Sequence, residues 1–168
     1  MIKVYKNFLA KELHNNLFSL IKSDNCGWFH SKTLQKSKED DIQLCHSLYH
    51  SHNVASDYFE SFKPLFDKLN VKIFHRVKLN LTCRDTENKV KGGYHHDLYW
   101  KDKPLEELKI AIYYFNTTNG KTLIKENNKI REIDCVENSL VTFPNTLEHT
   151  GTVQTDVPYR YVLNINYI

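Results

Sequence analysis

The sequence predicts a mainly antiparallel β domain, a sandwich or barrel, with helices packed on one face. Three observations favour this fold class. Apolar residues recur at helical spacing only in the first 70 positions, the apolar period changes to two from Val71 onward, and the remainder consists of short strand-like runs. The 168 residues correspond to a single domain, with 1–70 as mostly helical support and 71–168 as the β core.

Two helices are predicted in the first part of the chain. The first has its apolar side chains at Leu9, Leu13, Leu17, Leu20 and Ile21. The second begins at Ser56, a good N-cap residue, and carries Phe59, Phe62, Phe66 and Leu69 on one stripe. Pro64 falls inside it, so we expect a kink or a break there. Between the helices, the polar segment 31–43 predicts an exposed loop.

Four strands are predicted downstream, at Val77–Cys83, Leu108–Phe115, Ser139–Phe143 and Tyr159–Ile168. A turn at Asn119-Gly120 is expected to close the second strand. In the last strand Arg160, Val162, Asn164 and Asn166 share one face, opposite an apolar face. The first of the four strands has the same split. Such polar faces either meet solvent or line a cavity between two sheets, and the pattern alone leaves both readings open.

Composition and charge exclude several classes of protein. The chain is 40% hydrophobic and 26% charged, as in a soluble globular protein. It has no apolar run long enough to span a membrane, and its first residues lack the features of a signal peptide, so we expect a cytoplasmic protein. The net charge of +3 is too small to imply nucleic acid by itself. The four cysteines form no CxxC pair, so no zinc ribbon or redox motif is indicated.

The stretch Tyr94-His95-His96-Asp97 is the most informative in the chain. On a strand, His95 and Asp97 point to the same face. His149 follows 52 residues after Asp97, and Arg160 comes 11 residues after His149. Two imidazoles and one carboxylate on one face of a metal form the facial triad of non-haem Fe(II) oxygenases. An arginine within a barrel suits the distal carboxylate of the co-substrate 2-oxoglutarate, because its guanidinium can bind a carboxylate through two hydrogen bonds.

With these residues, the chain resembles the Fe(II)/2-oxoglutarate-dependent dioxygenases of the prolyl-4-hydroxylase-like group. It is especially similar to small members encoded by bacteriophages of marine cyanobacteria. The stretches that carry the resemblance are Arg76–Leu81, Tyr94–Asp97, Ile112–Asn116, Phe143–Asn145, His149–Thr152 and Arg160–Tyr167. The resemblance implies a double-stranded β-helix, or jelly roll, with the N-terminal helices packed on the larger sheet.

The resemblance also implies roles for individual residues. It implies His95, Asp97 and His149 as the iron ligands and Arg160 as the partner of the distal carboxylate of 2-oxoglutarate. Other residues implied near the co-substrate are Tyr114, whose hydroxyl would support the same carboxylate, and Asn80 on the strand before the motif. Asn164, with Asn166 on the same face as Arg160, could reach the proximal carboxylate or the ligand shell. The roles of Thr82, Asn166 and Trp100, which lies in an expected lid loop, stay open.

The activity implied by the resemblance is hydroxylation of an unactivated C–H bond, with release of succinate and CO₂. A prolyl or other peptidyl or free amino-acid residue is the leading substrate, so the expected partner is a protein, a peptide or a small molecule. Fe(II), 2-oxoglutarate and O₂ are required, and ascorbate is a candidate stimulant. A phage-encoded member would act in the cytoplasm of its host.

Two other functions are compatible with the same sequence. One is a cupin-like binding module without turnover, in which Arg160 has a structural role. The other is a nucleic-acid dealkylase with the same iron chemistry, which requires a basic groove and a base pocket. A second histidine group, formed by Cys45, His46, His50 and His52, is either a zinc site on a helix face or a set of capping and surface residues.

Overall fold

The structure is a computed structural model that describes residues 1–32 and 42–168. Its helices are α1 (Lys11–Lys22) and α2 (Lys63–Leu69), with a 3₁₀ helix (Asp57–Phe62) directly before α2. Its strands are β1 (Lys3–Tyr5), β2 (Phe29–Lys32), β3 (Ile42–His50), β4 (Asn53–Val54), β5 (Phe74–Cys83), β6 (Val90–His95), β7 (Tyr99–Trp100), β8 (Lys103–Pro104), β9 (Lys109–Tyr114), β10 (Thr118–Glu126), β11 (Lys129–Cys135), β12 (Ser139–Pro144), β13 (His149–Thr152) and β14 (Tyr159–Tyr167).

The strands form two main antiparallel sheets. The major sheet has the order β1-β12-β9-β14-β5-β3-β2, with β4 paired to β3, and the minor sheet has the order β11-β10-β13-β6. Apolar side chains of both sheets, including Ile112 and Phe143 from the major and Ile124 and Ile133 from the minor, pack together between them. This arrangement confirms the predicted jelly roll. None of the helices in the described ranges combines the length and apolar composition needed to span a bilayer.

The helices pack against the outer face of the major sheet, as expected. Leu17 and Ile21 of α1 and Leu65 of α2 belong to one buried cluster with the apolar face of β14. The Ser56 side chain accepts a hydrogen bond from a backbone N–H in the first turn of the 3₁₀ helix. The predicted break at Pro64 is confirmed, because the proline lies in the first turn of α2, where a missing N–H costs nothing.

The polar faces of β5 and β14 point into the space between the two sheets, which we call the cavity. On β14, Leu163 and Ile165 are buried under the helices. Asn164 and Asn166 point the other way, toward the minor sheet, and hydrogen-bond to Asp97. The structure therefore decides between the two readings of the strand pattern in favour of the cavity.

Three expectations about local structure were wrong. The first 70 residues are less helical than predicted, because they also contribute strands β1 to β4. Two residues at each end of segment 31–43 belong to β2 and β3, and 33–41 lies outside the described residues. Asn119 and Gly120 do not form the turn after β9. They lie within β10, at a shift in its pairing with β11 between Thr118 and Lys121.

Candidate metal centre and co-substrate pocket

Three metal-ligating side chains meet between the two sheets. One ligand atom each from His95, Asp97 and His149 lie within 4.8 Å of one another. The Asp97 Oδ1 atom is 3.6 Å from His95 Nε2 and 4.0 Å from His149 Nε2. In the part of the chain that the structure describes, this is the one group of three such ligands. The three residues that the sequence singled out are thus brought together.

Strand pairing fixes the two histidines. His95 ends β6 and His149 begins β13, and the two residues are directly opposite in the antiparallel ladder, with ring centroids 4.4 Å apart. The Nδ1 of His95 donates a hydrogen bond to the Gly93 carbonyl at 3.2 Å. That bond selects the tautomer with a free lone pair on Nε2, on the side of Asp97.

The two oxygens of the Asp97 carboxylate have different partners. Oδ2 accepts hydrogen bonds from the side-chain amides of Asn166 at 2.6 Å and Asn164 at 3.3 Å. Oδ1 faces the histidines and lies 3.0 Å from Nη2 of Arg76. The amides therefore hold one oxygen in place and leave the other directed at the ligand group.

Electrostatics keep the ligands in their metal-binding protonation states. Although burial raises the pKa of Asp97, the Arg76 guanidinium and the hydrogen bond from Asn166 hold that pKa well below its ordinary value. Burial lowers the pKa of His149 to about 4. At neutral pH the site therefore presents a carboxylate and an uncharged imidazole, as a divalent metal requires.

Asn145 fixes the loop that carries Asp97, a role that the sequence did not reveal. Its Oδ1 accepts hydrogen bonds from the backbone N–H groups of Asp97 at 3.0 Å and Leu98 at 3.3 Å. Its Nδ2 donates to the Leu98 and Leu105 carbonyls, and its own carbonyl accepts from His96 Nδ1 at 2.8 Å. Asn145 is fully buried. Its only sequence signal was its place after Pro144 at the end of a strand.

Arg160 forms the second part of the site. It is 7% exposed and, among the described residues, forms no ion pair. Its guanidinium donates to the Thr152 carbonyl at 3.2 Å and to Thr122 Oγ1 at 3.3 Å, while its Nε has no partner. A Cβ on Gly151 would lie 3.4 Å from Nη1, so the glycine leaves room for the guanidinium. Burying a charge without a partner is costly, so a buried guanidinium without a counter-ion is suited to binding an anion.

Tyr114 and Asn80 complete this pocket. The buried Tyr114 hydroxyl donates to Thr122 Oγ1 at 2.8 Å, and its ring lies 5.7 Å from the Arg160 guanidinium carbon. Asn80 is buried, and its Oδ1 has no hydrogen-bond partner. Thr82 is directly opposite Arg160 in the ladder between β5 and β14. The residues expected near the co-substrate therefore lie on the walls of one cavity.

The second histidine group is not a helix face. His46 and His50 lie on strand β3. The Nδ1 of His46 donates to the Gly27 carbonyl at 2.6 Å, and its Nε2 is 2.7 Å from the Ser56 hydroxyl, so both ring nitrogens are already engaged. His50 and His52 are exposed. This geometry favours the structural reading over a zinc site.

The donor set of the first group suits a divalent metal. Two atoms bound to one ion at about 2.1 Å are at most about 4.2 Å apart. Both distances from the Asp97 carboxylate to the imidazoles fall within that limit. Two imidazole nitrogens and one carboxylate oxygen are the ligands typical of non-haem Fe(II) sites. The residues present therefore fit Fe(II).

Solved structures share this fold. A prolyl-4-hydroxylase from Pseudomonas putida matches with a TM-score of 0.72 and 12% identity, over 99% of this chain and 91% of that one. A prolyl hydroxylase from Trichoplax adhaerens, in complex with a peptide fragment of the hypoxia inducible factor oxygen degradation domain, matches with a TM-score of 0.70 and 13% identity, over 99% and 83% of the two chains.

A viral collagen prolyl hydroxylase from Paramecium Bursaria Chlorella virus-1, in its 2-oxoglutarate complex, matches with a TM-score of 0.58 and 13% identity. The match covers 99% of this chain and 96% of the viral one. No protein-family model and no curated protein matches the sequence. At these identities the likeness shows the fold and leaves the reaction to be argued from the site.

Proposed function

We propose that the protein is an Fe(II)- and 2-oxoglutarate-dependent dioxygenase that hydroxylates an unactivated C–H bond of a prolyl or other amino-acid residue, peptidyl or free. The observation that carries this proposal is one cavity with two features. It holds a group of two histidines and one carboxylate, and it holds Arg160, which is buried and has no acidic partner among the described residues. Prolyl hydroxylases with the same fold support the assignment.

Each residue of the cavity has a defined task in this proposal. His95, Asp97 and His149 would hold the metal, and Arg160 would bind the distal carboxylate of 2-oxoglutarate with support from the Tyr114 hydroxyl. Bound Fe(II) supplies the oxidative chemistry, in which one oxygen atom of O₂ enters succinate, released with CO₂, and the other becomes the new hydroxyl group. The protein binds, orients and excludes water, and the arginine acts through binding without transferring a proton.

The substrate assignment has separate support. The neighbour from Trichoplax adhaerens was solved with a peptide fragment, and the fold relatives include other prolyl hydroxylases. The similarity to phage-encoded members, action in a host cytoplasm and stimulation by ascorbate stay predictions from the sequence motifs. Trp100, on β7, is 68% exposed and stays a candidate for covering the substrate.

Succinate release in air tests the proposal. The purified protein, supplied with Fe(II) and 2-oxoglutarate, should release succinate, and His149→Ala should reduce the rate at least about 100-fold because a ligand is lost. His50→Ala is the matched control, since His50 is an exposed histidine outside the cavity. Succinate release that His149→Ala leaves unchanged would refute the assignment. A folded protein that neither develops the visible absorption of the Fe(II)–2-oxoglutarate complex nor releases succinate would indicate a binding module.

A further inference from the structure

Strand β5 places two cations inside the cavity, beside the ligand group. Val77 and Leu79 are buried under the helices, so the alternating Arg76 and Lys78 side chains point the other way, into the cavity. In the ladder, Lys78 is directly opposite Asn164, one of the two amides that hold Asp97. Both cations therefore lie at the end of the cavity where the metal ligands meet.

These two cations have little acidic compensation. Asp97 is the only carboxylate among the described residues that interacts with either of them. Arg76 forms an ion pair with it, whereas Lys78 forms no hydrogen bond or ion pair with a described residue. Burial, followed by the charge of Arg76, lowers the pKa of the Lys78 ammonium. Asp97 would be shared with a bound metal, so the two cations would have less than one full negative charge between them.

The cations are separate from the co-substrate arginine. Arg160 lies opposite Thr82, four residues along β5 from Lys78, which is about 13 Å at about 3.3 Å per residue. Arg160 has its own polar partners on the minor sheet. The cavity thus offers two anion positions. Arg160 serves one, and Lys78 with Arg76 serves the other.

An open platform adjoins the second position. Strands β3 and β2 extend the major sheet beyond β5. Their residues Phe29 and Cys45 are paired in register, and Cys45 is in turn opposite Asn80 on the cavity face of β5. Phe29 is 68% exposed, and Ser47, opposite Lys78, is also exposed. We call Phe29, Cys45 and Ser47 the platform. It offers an accessible aromatic side chain on the same face of the sheet, two strands from Lys78.

We propose that the primary substrate carries a carboxylate, which binds Lys78 with Arg76 beside it, while the apolar part of the substrate lies on the platform against Phe29. This inference rests on the proposed oxygenase function and names its substrate class. The charge of the cavity supports this substrate class, because Arg76 and Lys78 both face the cavity and Asp97 is the one carboxylate among the described residues that interacts with them. A free amino acid and an acidic residue within a peptide present the same group.

A panel of matched acids and amides tests the inference. Free amino acids are compared with their α-carboxamides, and peptides containing Asp or Glu are compared with their Asn or Gln counterparts, by succinate release and by mass spectrometry of the hydroxylated product. We expect at least one acid to be preferred over its amide by about 10-fold or more, the range for charged hydrogen bonds. A preference for the acid among the free amino acids indicates a free amino-acid substrate, and a preference for the acid among the peptides indicates a peptide substrate.

Variants of Lys78 separate this role from co-substrate binding. Lys78→Met should reduce the preference for acid over amide to nearly none, and Lys78→Arg should restore part of it. Anaerobic binding of 2-oxoglutarate to the Fe(II) protein, followed by its visible absorption, should be the same in Lys78→Met and wild type. Lys72→Met is the matched control, because Lys72 is exposed outside the cavity.

Three results would overturn the inference. The first is equal turnover of acids and amides, and the second is no turnover of any acid in the panel. The third is a Lys78→Met variant that loses 2-oxoglutarate binding and keeps the preference for acid over amide. Failure of the proposed function looks different, because a protein that neither binds 2-oxoglutarate nor forms succinate fails before any substrate is added. Circular dichroism and the thermal midpoint establish that each variant is folded.

Discussion

At the residue scale, the site depends on how the Asp97 carboxylate is held. One oxygen is fixed by the amides of Asn164 and Asn166, and the backbone N–H of the same residue is fixed by Asn145. The ligands were readable in the sequence because a histidine and an aspartate two apart are followed, in a strand-rich region, by a distal histidine and then by an arginine 11 residues further on, which together are a much stronger signal than the first pair alone. Asn164 and Asn166 were candidates for the ligand shell because they share the Arg160 face of the last strand. Asn145 was not, since the backbone N–H groups that it binds lie 47 and 48 positions away along the chain.

Loss of the shorter of these amide bonds should weaken metal binding. In Asn166→Ala, the Asp97 Oδ2 atom loses its 2.6 Å hydrogen bond and keeps only the 3.3 Å bond from Asn164, so the carboxylate is held less firmly. We expect the Fe(II) dissociation constant to rise about 10- to 100-fold, the usual effect of removing a group that orients a ligand. Anaerobic titration with Fe(II) measures it, with Asn16→Ala on the exposed face of α1 as control. An unchanged constant would show that Asn166 does not orient the ligand.

Replacing Arg160 should weaken the binding of 2-oxoglutarate and leave the affinity for Fe(II) unchanged. Arg160→Lys keeps the charge but loses the planar fork, so we expect the dissociation constant of 2-oxoglutarate to rise about 10-fold or more. Anaerobic titration with 2-oxoglutarate at saturating Fe(II) gives this constant. A separate titration with Fe(II) gives the dissociation constant of the metal. If the variant binds 2-oxoglutarate as tightly as wild type, the co-substrate carboxylate does not bind at Arg160.

At the element scale, regular periodicity predicted elements well and local turn chemistry predicted them poorly. The long alternation of β14 and the helical spacing of α1 identified both elements. Strand β3 was missed because His46 interrupts the alternation of Ile42, Leu44 and Leu48, and His46 and His50 are also spaced as on one face of a helix. The hairpin between β10 and β11 was missed too, although its two-residue turn, Asn127-Asn128, has φ values of 51° and 60° at residues that tolerate them.

That turn predicts a difference between two substitutions. A β-branched residue is strained at positive φ, so Asn128→Val should lower the free energy of unfolding by about 1–2 kcal/mol, whereas Asn128→Gly should not lower it. Urea denaturation measures both variants against wild type. The turn lies outside the ligand group, so Fe(II) affinity should be unaffected in both. Equal stabilities for the valine and glycine variants would argue against this turn conformation.

At the scale of the whole molecule, the two faces of the major sheet have separate tasks. The outer face forms the larger apolar cluster with the helices, and the inner face carries the polar cavity. This separation explains why the fold class was predictable from alternation alone. The position of Arg76 and Lys78 near the metal ligands was not predictable, because the strand pattern left open whether their face meets solvent or the cavity. The strand order places both cations beside Asp97.

Burial of an uncharged His149 should make the metal-free fold sensitive to acid. Its pKa is lowered from 6.5 to about 4, so the unfolded chain binds the extra proton first as the pH falls. This contribution to stability is complete above pH about 6.5 and is lost progressively down to pH about 4, to a total of about 3 kcal/mol.

Urea denaturation between pH 7 and 4.5, with a chelator present, measures this loss. His149→Gln, which does not titrate, should lose less stability over that range than wild type. Equal losses in the two proteins would show that His149 is already protonated in the fold or that its environment is polar.

Anaerobic titration with Fe(II) and then 2-oxoglutarate tests the central claim most directly, because it reports on the ligand group and Arg160 in one experiment. We expect a visible charge-transfer absorption that saturates with one 2-oxoglutarate per chain, disappears in His149→Ala and requires a higher 2-oxoglutarate concentration in Arg160→Lys. A folded wild-type protein that binds Fe(II) without developing this absorption, or the same absorption in His149→Ala, would contradict the assignment of the cavity as an oxygenase site.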